Sequence, residues 1–170
     1  MTVVDALRAA IRAEDSAIFT YGVMTAFTRN DVRGRVAADI AAHRVQRSAL
    51  AAALVKAGGQ APAPAAGYRL PQAVTDVRSA AHAAVAAEDD TSSAHRALVE
   101  QAETNGQRQL GVDGLTGSAI RAVYWRGVAD ITPTAAPTVI STTRHVRALC
   151  IPWFVFKGCL TCFDSFASVL

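Results

Sequence analysis

Apolar residues recur between residues 7 and 98 in steps of four and three. That rhythm marks one face of an α-helix and does not suit a strand, whose side chains alternate with a period of two. The first stripe runs Leu7, Ile11, Glu14, Ile18, Tyr21. The second runs Val36, Ile40, His43, Arg47, Leu50, Leu54, and the third Ala81, Ala84, Glu88, Thr91, His95, Leu98. Each stripe is long enough for a helix of several turns, and each carries one to three polar residues on the line that should face a core.

Punctuation between the stripes divides the chain into four helices. Thr2 is a capping residue with Asp5 three positions on, so a first helix is expected over about residues 3–28. Asn30 and Asp31 should cap the second, which stops at Gly58-Gly59. Pro62, Pro64, Gly67 and Pro71 make the next stretch a long connection, able to run along the bundle. Thr75 or Asp76 opens the third helix, and Asn105-Gly106 breaks it. The fourth is expected to be weak at first, through Gly111, Gly114 and Gly117, and stronger around Ile120, Val123, Tyr124 and Trp125. The expected fold is all-α: an up-down antiparallel four-helix bundle in residues 1–135, with an appendage in 136–170. Abundant Ala favours helix and lets helices approach closely.

The appendage differs in composition: Ala and Arg nearly vanish after residue 149, while Phe154, Phe156, Phe163 and Phe166 crowd together. Its apolar run is broken by Pro152, Lys157 and Asp164, which argues against a membrane span. Cys150, Cys159 and Cys162 make an odd set without a disulfide framework, and Cys159-Leu160-Thr161-Cys162 would need two more ligands for a zinc site, with Cys150 and His145 as the only nearby candidates. A net charge of +3, with no basic stripe interleaved with aromatics, argues against nucleic acid. The N-terminus shows no basic-then-apolar leader, so cytoplasmic residence is expected.

The polar residues on the stripes carry the chemistry. At a rise of about 1.5 Å per residue, folding at the first turn brings Glu14 level with His43. Helices 1 and 3 are expected to run the same way, which puts Glu88 in the layer of Glu14. Two buried carboxylates and an imidazole must be satisfied by protons, partners or a metal. Glu14, His43 and Glu88 therefore form either a hydrogen-bonded cluster without metal or the ligand set of one iron, manganese or zinc ion. No small-molecule substrate is identifiable, and an Ala-rich face suits a homodimer.

These residues resemble the ferritin-like bundles, which take a Glu from each of two helices and a Glu-x-x-His motif from each of the others. Glu14 with Tyr21, His43 and Glu88 match part of that pattern. Ala13-Glu14-Asp15-Ser16-Ala17, Ala41-Ala42-His43-Arg44 and Leu70-Pro71-Gln72-Ala73-Val74-Thr75-Asp76 also look like an Ala-rich actinobacterial ferritin-like family, a domain of unknown function. The resemblance implies the fold and a carboxylate–histidine centre. The departures limit that centre: Ile40 stands where the second helix should offer Glu, and neither Glu nor His occurs over residues 120–124. At most one ion is expected, without ferroxidase chemistry.

Overall fold

A computed structural model describes residues 1–70 and 72–131. Its four helices are α1 (Val3–Met24), α2 (Asn30–Lys56), α3 (Val77–Gln101) and α4 (Asn105–Val128), and no strand occurs among the described residues. The expected domain boundary at 135 and the cysteine-bearing appendage lie outside the described residues.

Reciprocal caps start three of the helices. Thr2 Oγ1 accepts from the Asp5 amide while the Asp5 carboxylate accepts from that of Thr2. Asp76 pairs with Ser79 at the start of α3, and Thr104 with Gln107 at the start of α4. Each box satisfies amides that a helix start leaves orphaned. α2 differs from expectation, because its cap position is Arg29 and no side chain closes it. It ends as expected: Gly58 takes φ +77° and the Gly59 amide returns to the Leu54 carbonyl at 2.9 Å, a turn that favours glycine.

The neighbouring pairs are α1/α2, α1/α3, α3/α4 and α2/α4. Side-chain partners give their directions. Glu14 meets His95 while Tyr21 meets Glu88, so α1 and α3 run in opposite senses. This corrects the expectation that helices 1 and 3 run the same way. The reason is the link after α2. It begins beside Val4 and Leu54 and delivers the chain to Ala80 and Ala81, which pack with Met24 and Val36 at the other end. Twenty-seven helical residues span about 40 Å, a distance the proline-bearing stretch between Ala57 and Asp76 covers when extended. All four neighbouring pairs are consequently antiparallel.

The core lies in two apolar parts separated by a polar layer. One contains Val3, Leu7, Ile11, Leu50, Leu54 and Leu98; the other contains Tyr21, Met24, Val36, Val85 and Trp125. α4 turns inward along Gly111, Gly114, Ser118, Ala122 and Trp125. Two of the three glycines expected to weaken this helix, Gly111 and Gly114, thus lie on its packing face while Gly117 is half-buried, and Ile120 and Val123, expected to strengthen it, are 63% and 69% exposed. A Cβ on Gly114 would lie 2.3–2.4 Å from three ring atoms of His95, and one on Gly111 would lie 2.7 Å from a Val99 methyl. Close approach of α4 to α3 therefore depends on both glycines.

Candidate metal centre

Glu14, His43, Glu88 and His95 are each 1% exposed or less, and they come from α1, α2 and α3. His43 is the bridge. Its Nδ1 lies 2.6 Å from Glu14 Oε2 and its Nε2 lies 3.1 Å from Glu88 Oε1. A ring that donates to carboxylates from both nitrogens is an imidazolium. The three residues singled out in the sequence are thus brought together.

Three further side chains complete the cluster. The Nε2–H of His95 donates to Glu14 Oε1 at 2.7 Å. The Tyr21 hydroxyl donates to Glu88 Oε1 at 2.6 Å. Arg121, from α4, donates its Nε–H to the same oxygen at 2.8 Å. With Glu14 and Glu88 ionised and His43 and Arg121 cationic, the four formal charges cancel. That balance lets four charged groups remain in a dry interior. Among the described residues, two buried polar atoms have no hydrogen-bond partner: Glu88 Oε2 and His95 Nδ1.

Burial alone would raise Glu14, but its hydrogen bonds from His43 and His95 outweigh this and hold it below its ordinary value. Burial would likewise raise Glu88, and the bonds from His43 and Arg121 hold it down. His43 shows the converse: burial would lower it, and Glu14 and Glu88 raise it above 6.5. Burial, followed by the charge of Glu88, pushes the Tyr21 phenol well above its usual value, so it stays a donor.

These directions fix a stability profile for the metal-free protein. The stabilisation from His43 is complete below its unfolded value of 6.5 and is lost as pH rises through the elevated folded value. That from Glu14 and Glu88 is complete above 4.5 and is lost as pH falls through their depressed values. The melting temperature should accordingly be highest between these limits and decline on both sides. A melting temperature that climbs steadily from neutral into alkaline solution would contradict a cationic His43.

A second polar knot lies beside the cluster. Asp39, buried on α2, accepts from Trp125 Nε1 at 3.0 Å and from Arg35 Nε at 2.9 Å. The Arg35 guanidinium covers the Tyr124 ring at 4.3 Å, and the Trp125 ring lies 5.9 Å from that of Tyr21. Asp15 pairs with Arg47, which explains an arginine on the α2 stripe. Sequence reasoning missed Asp39 and Arg121 and left His95 out of the candidate set. His95 had a signal, its place on the α3 stripe; its contact with Glu14 required the true direction of α3.

The two-metal donor set of the ferritin-like bundles does not fit these residues. The Glu-x-x-His spacing on α4 is met at the cluster by Ser118 and Arg121, and on α2 by Ile40 and His43, so both bridging carboxylates are missing. The Arg121 guanidinium puts a fixed positive charge against Glu88. Among the described residues, no three or more His, Cys, Asp or Glu side chains form a ready-made metal cage. Carboxylates and imidazoles are donor types that metal sites use; here both His43 nitrogens already face carboxylates, and Glu88 Oε2 and His95 Nδ1 are the buried side-chain atoms left unpartnered among the described residues.

The fold and sequence have relatives. A structure of ferritin-like, diiron-carboxylate proteins from Bacillus anthracis str. Ames is similar at a TM-score of 0.58 and 22% identity, covering 75% of this chain and 93% of that one. This similarity establishes the ferritin-like fold. A structure of a conserved hypothetical protein from Mycobacterium tuberculosis is similar at a TM-score of 0.71 and 38% identity, covering 73% of this chain and 94% of that one. Comparison with curated proteins gives no match. A family model, described as a domain of unknown function, DUF4439, matches residues 6–139, and the chain belongs to that family.

Proposed function

We propose that this ferritin-like bundle is a binding module holding at most one divalent ion, with the arginine on α4 in the role of a second. The observation that carries this reading is the 2.8 Å bond from Arg121 Nε to Glu88 Oε1 inside the carboxylate layer. Glu14, His43 and Glu88 would hold the ion, His43 only after giving up a proton it now donates to a carboxylate, with His95 as a further nitrogen donor. Iron, manganese and zinc all suit such nitrogen and carboxylate donors. A bound ion would supply Lewis acidity and, in the case of iron or manganese, redox capacity. Around it, Arg121 stays paired with Glu88, Tyr21 holds its proton toward Glu88, and the two apolar core regions flank the layer.

Elemental analysis and calorimetric titration with Mn(II), Fe(II) or Zn(II) test this reading. The expected result is no more than one ion per chain, lost in the variant Glu14→Gln/Glu88→Gln. Two ions bound inside the bundle would overturn it.

A second reading is a metal-free interaction protein acting as a helical homodimer. Both nitrogens of His43 are already engaged with carboxylates, so the imidazole needs no ion. Val112, Ile120 and Val123 also leave apolar surface on the outside of α4. Absence of metal at saturating concentrations, together with a dimer in sedimentation, would favour it. No helix among the described residues is long and apolar enough to cross a membrane.

A further inference from the structure

α2 is apolar on two opposite faces. Its inner face carries Val36, Leu50 and Leu54. Its outer face carries Gly34, Ala38, Ala41, Val45, Ser48, Ala52 and Val55, spaced four, three, four, three, four, three, and all of them are exposed. Val45 and Val55 are 70% and 65% exposed. A repeat of 3.5 residues kept up over about 30 Å is the pattern of a helix that receives a second helix along its length. A helix apolar on both faces belongs between two layers, and the bundle covers only the inner one.

The charges beside this seam select what covers it. Arg35 and Arg47 are taken by Asp39 and Asp15. Arg44 stands exposed on the α1 side, in a cleft with Asp15 and Ile18. On the opposite side and at the same height, Asp113 of α4 borders the groove that Ala41, Ala42 and Val45 line. Level with Val45, the seam therefore has a cation on one flank and an anion on the other.

Deepening the interaction-protein reading, and independent of any ion, we propose that the outer face of α2 is a homodimer interface in which two copies of α2 pack in parallel about a two-fold axis along their length. Such an axis preserves height and exchanges sides. Arg44 of each subunit then faces Asp113 of the partner subunit, and two ion pairs flank a contact of Val45 on Val45. The small side chains of Gly34, Ala38, Ala41 and Ala52 let the two backbones approach closely. Antiparallel pairing centred on Val45 would set Arg44 beside Arg44 of the partner subunit, a repulsive arrangement.

Sedimentation velocity of the full chain at roughly 100 μM should show a dimer. Val45→Glu, Arg44→Asp and Asp113→Arg should each weaken dimerisation about tenfold or more, with the melting transition of the monomer retained. Arg44→Asp combined with Asp113→Arg should restore it, because the swap recreates both pairs. Ala52→Cys, in a chain with Cys150→Ser, Cys159→Ser and Cys162→Ser, should oxidise to a covalent dimer. Parallel packing brings the two introduced thiols together, whereas antiparallel packing centred on Val45 holds them about 20 Å apart, beyond the reach of a disulfide. A dimer that forms no Ala52→Cys crosslink and ignores Val45→Glu would overturn this interface and leave the homodimer reading standing. A parent chain that stays monomeric would overturn both.

Discussion

Replacing His43 by alanine should destabilise the bundle by about 3–5 kcal/mol, the cost of breaking a buried ion pair from one side. The ring is the cation that separates two carboxylates on different helices, and without it Glu14 keeps only His95 while Glu88 keeps Arg121 and Tyr21. The melting temperature should drop on the order of 10 °C for a domain of this size. His43→Leu combined with Glu14→Gln and Glu88→Gln should recover much of the loss, because it removes the stranded charges along with their partner. Urea denaturation of the metal-free proteins measures both. A single His43→Ala variant melting within a degree of the parent would rule out the bridging imidazolium.

Gly114→Val should be nearly as damaging, at about 2–5 kcal/mol, from overpacking together with a disturbed buried hydrogen bond. The new Cβ lies within 2.4 Å of His95 Cε1, Nδ1 and Nε2, so the ring must leave Glu14 or the helices must part. Pairing Gly114→Ala with His95→Ala should be far less harmful than the sum of the two single changes. A double-mutant cycle should give a coupling of about 1–3 kcal/mol. Gly22→Ala and Gly127→Ala are the controls, since a Cβ at either meets nothing within 4 Å. Both should be neutral or stabilising, by up to about 1 kcal/mol, as alanine favours helix over glycine. Equal losses at Gly114 and Gly127 would mean that α4 does not pack on its glycine line.

The contrast between those glycines shows what the sequence reveals and what it conceals. Glu14, His43 and Glu88 stood out because each is a polar residue on a mainly apolar stripe. Helix number and the caps at Thr2 and Asp76 were legible because their chemistry is local. The inward face of α4 was not, because Gly111 and Gly114 contribute by having no side chain, while a hydrophobic count is drawn to the exposed Ile120 and Val123. Arg121 was hidden for a related reason: arginine is ordinarily a surface residue, and only the contact with Glu88 across helices reveals its place. The position of His95 depended on the path of a link that spans the bundle, and no spacing within α3 reports that path.

The guanidinium beside Glu88 also bears on how the protein is made. An arginine arrives with the polypeptide; it cannot be chelated away, titrated off at physiological pH or found in short supply. A bundle whose interior charge is balanced by Arg121 and a protonated His43 needs no inorganic cofactor to reach its folded state. Its synthesis is therefore uncoupled from metal availability, so cells starved of iron or manganese should accumulate the folded chain as readily as well-supplied ones.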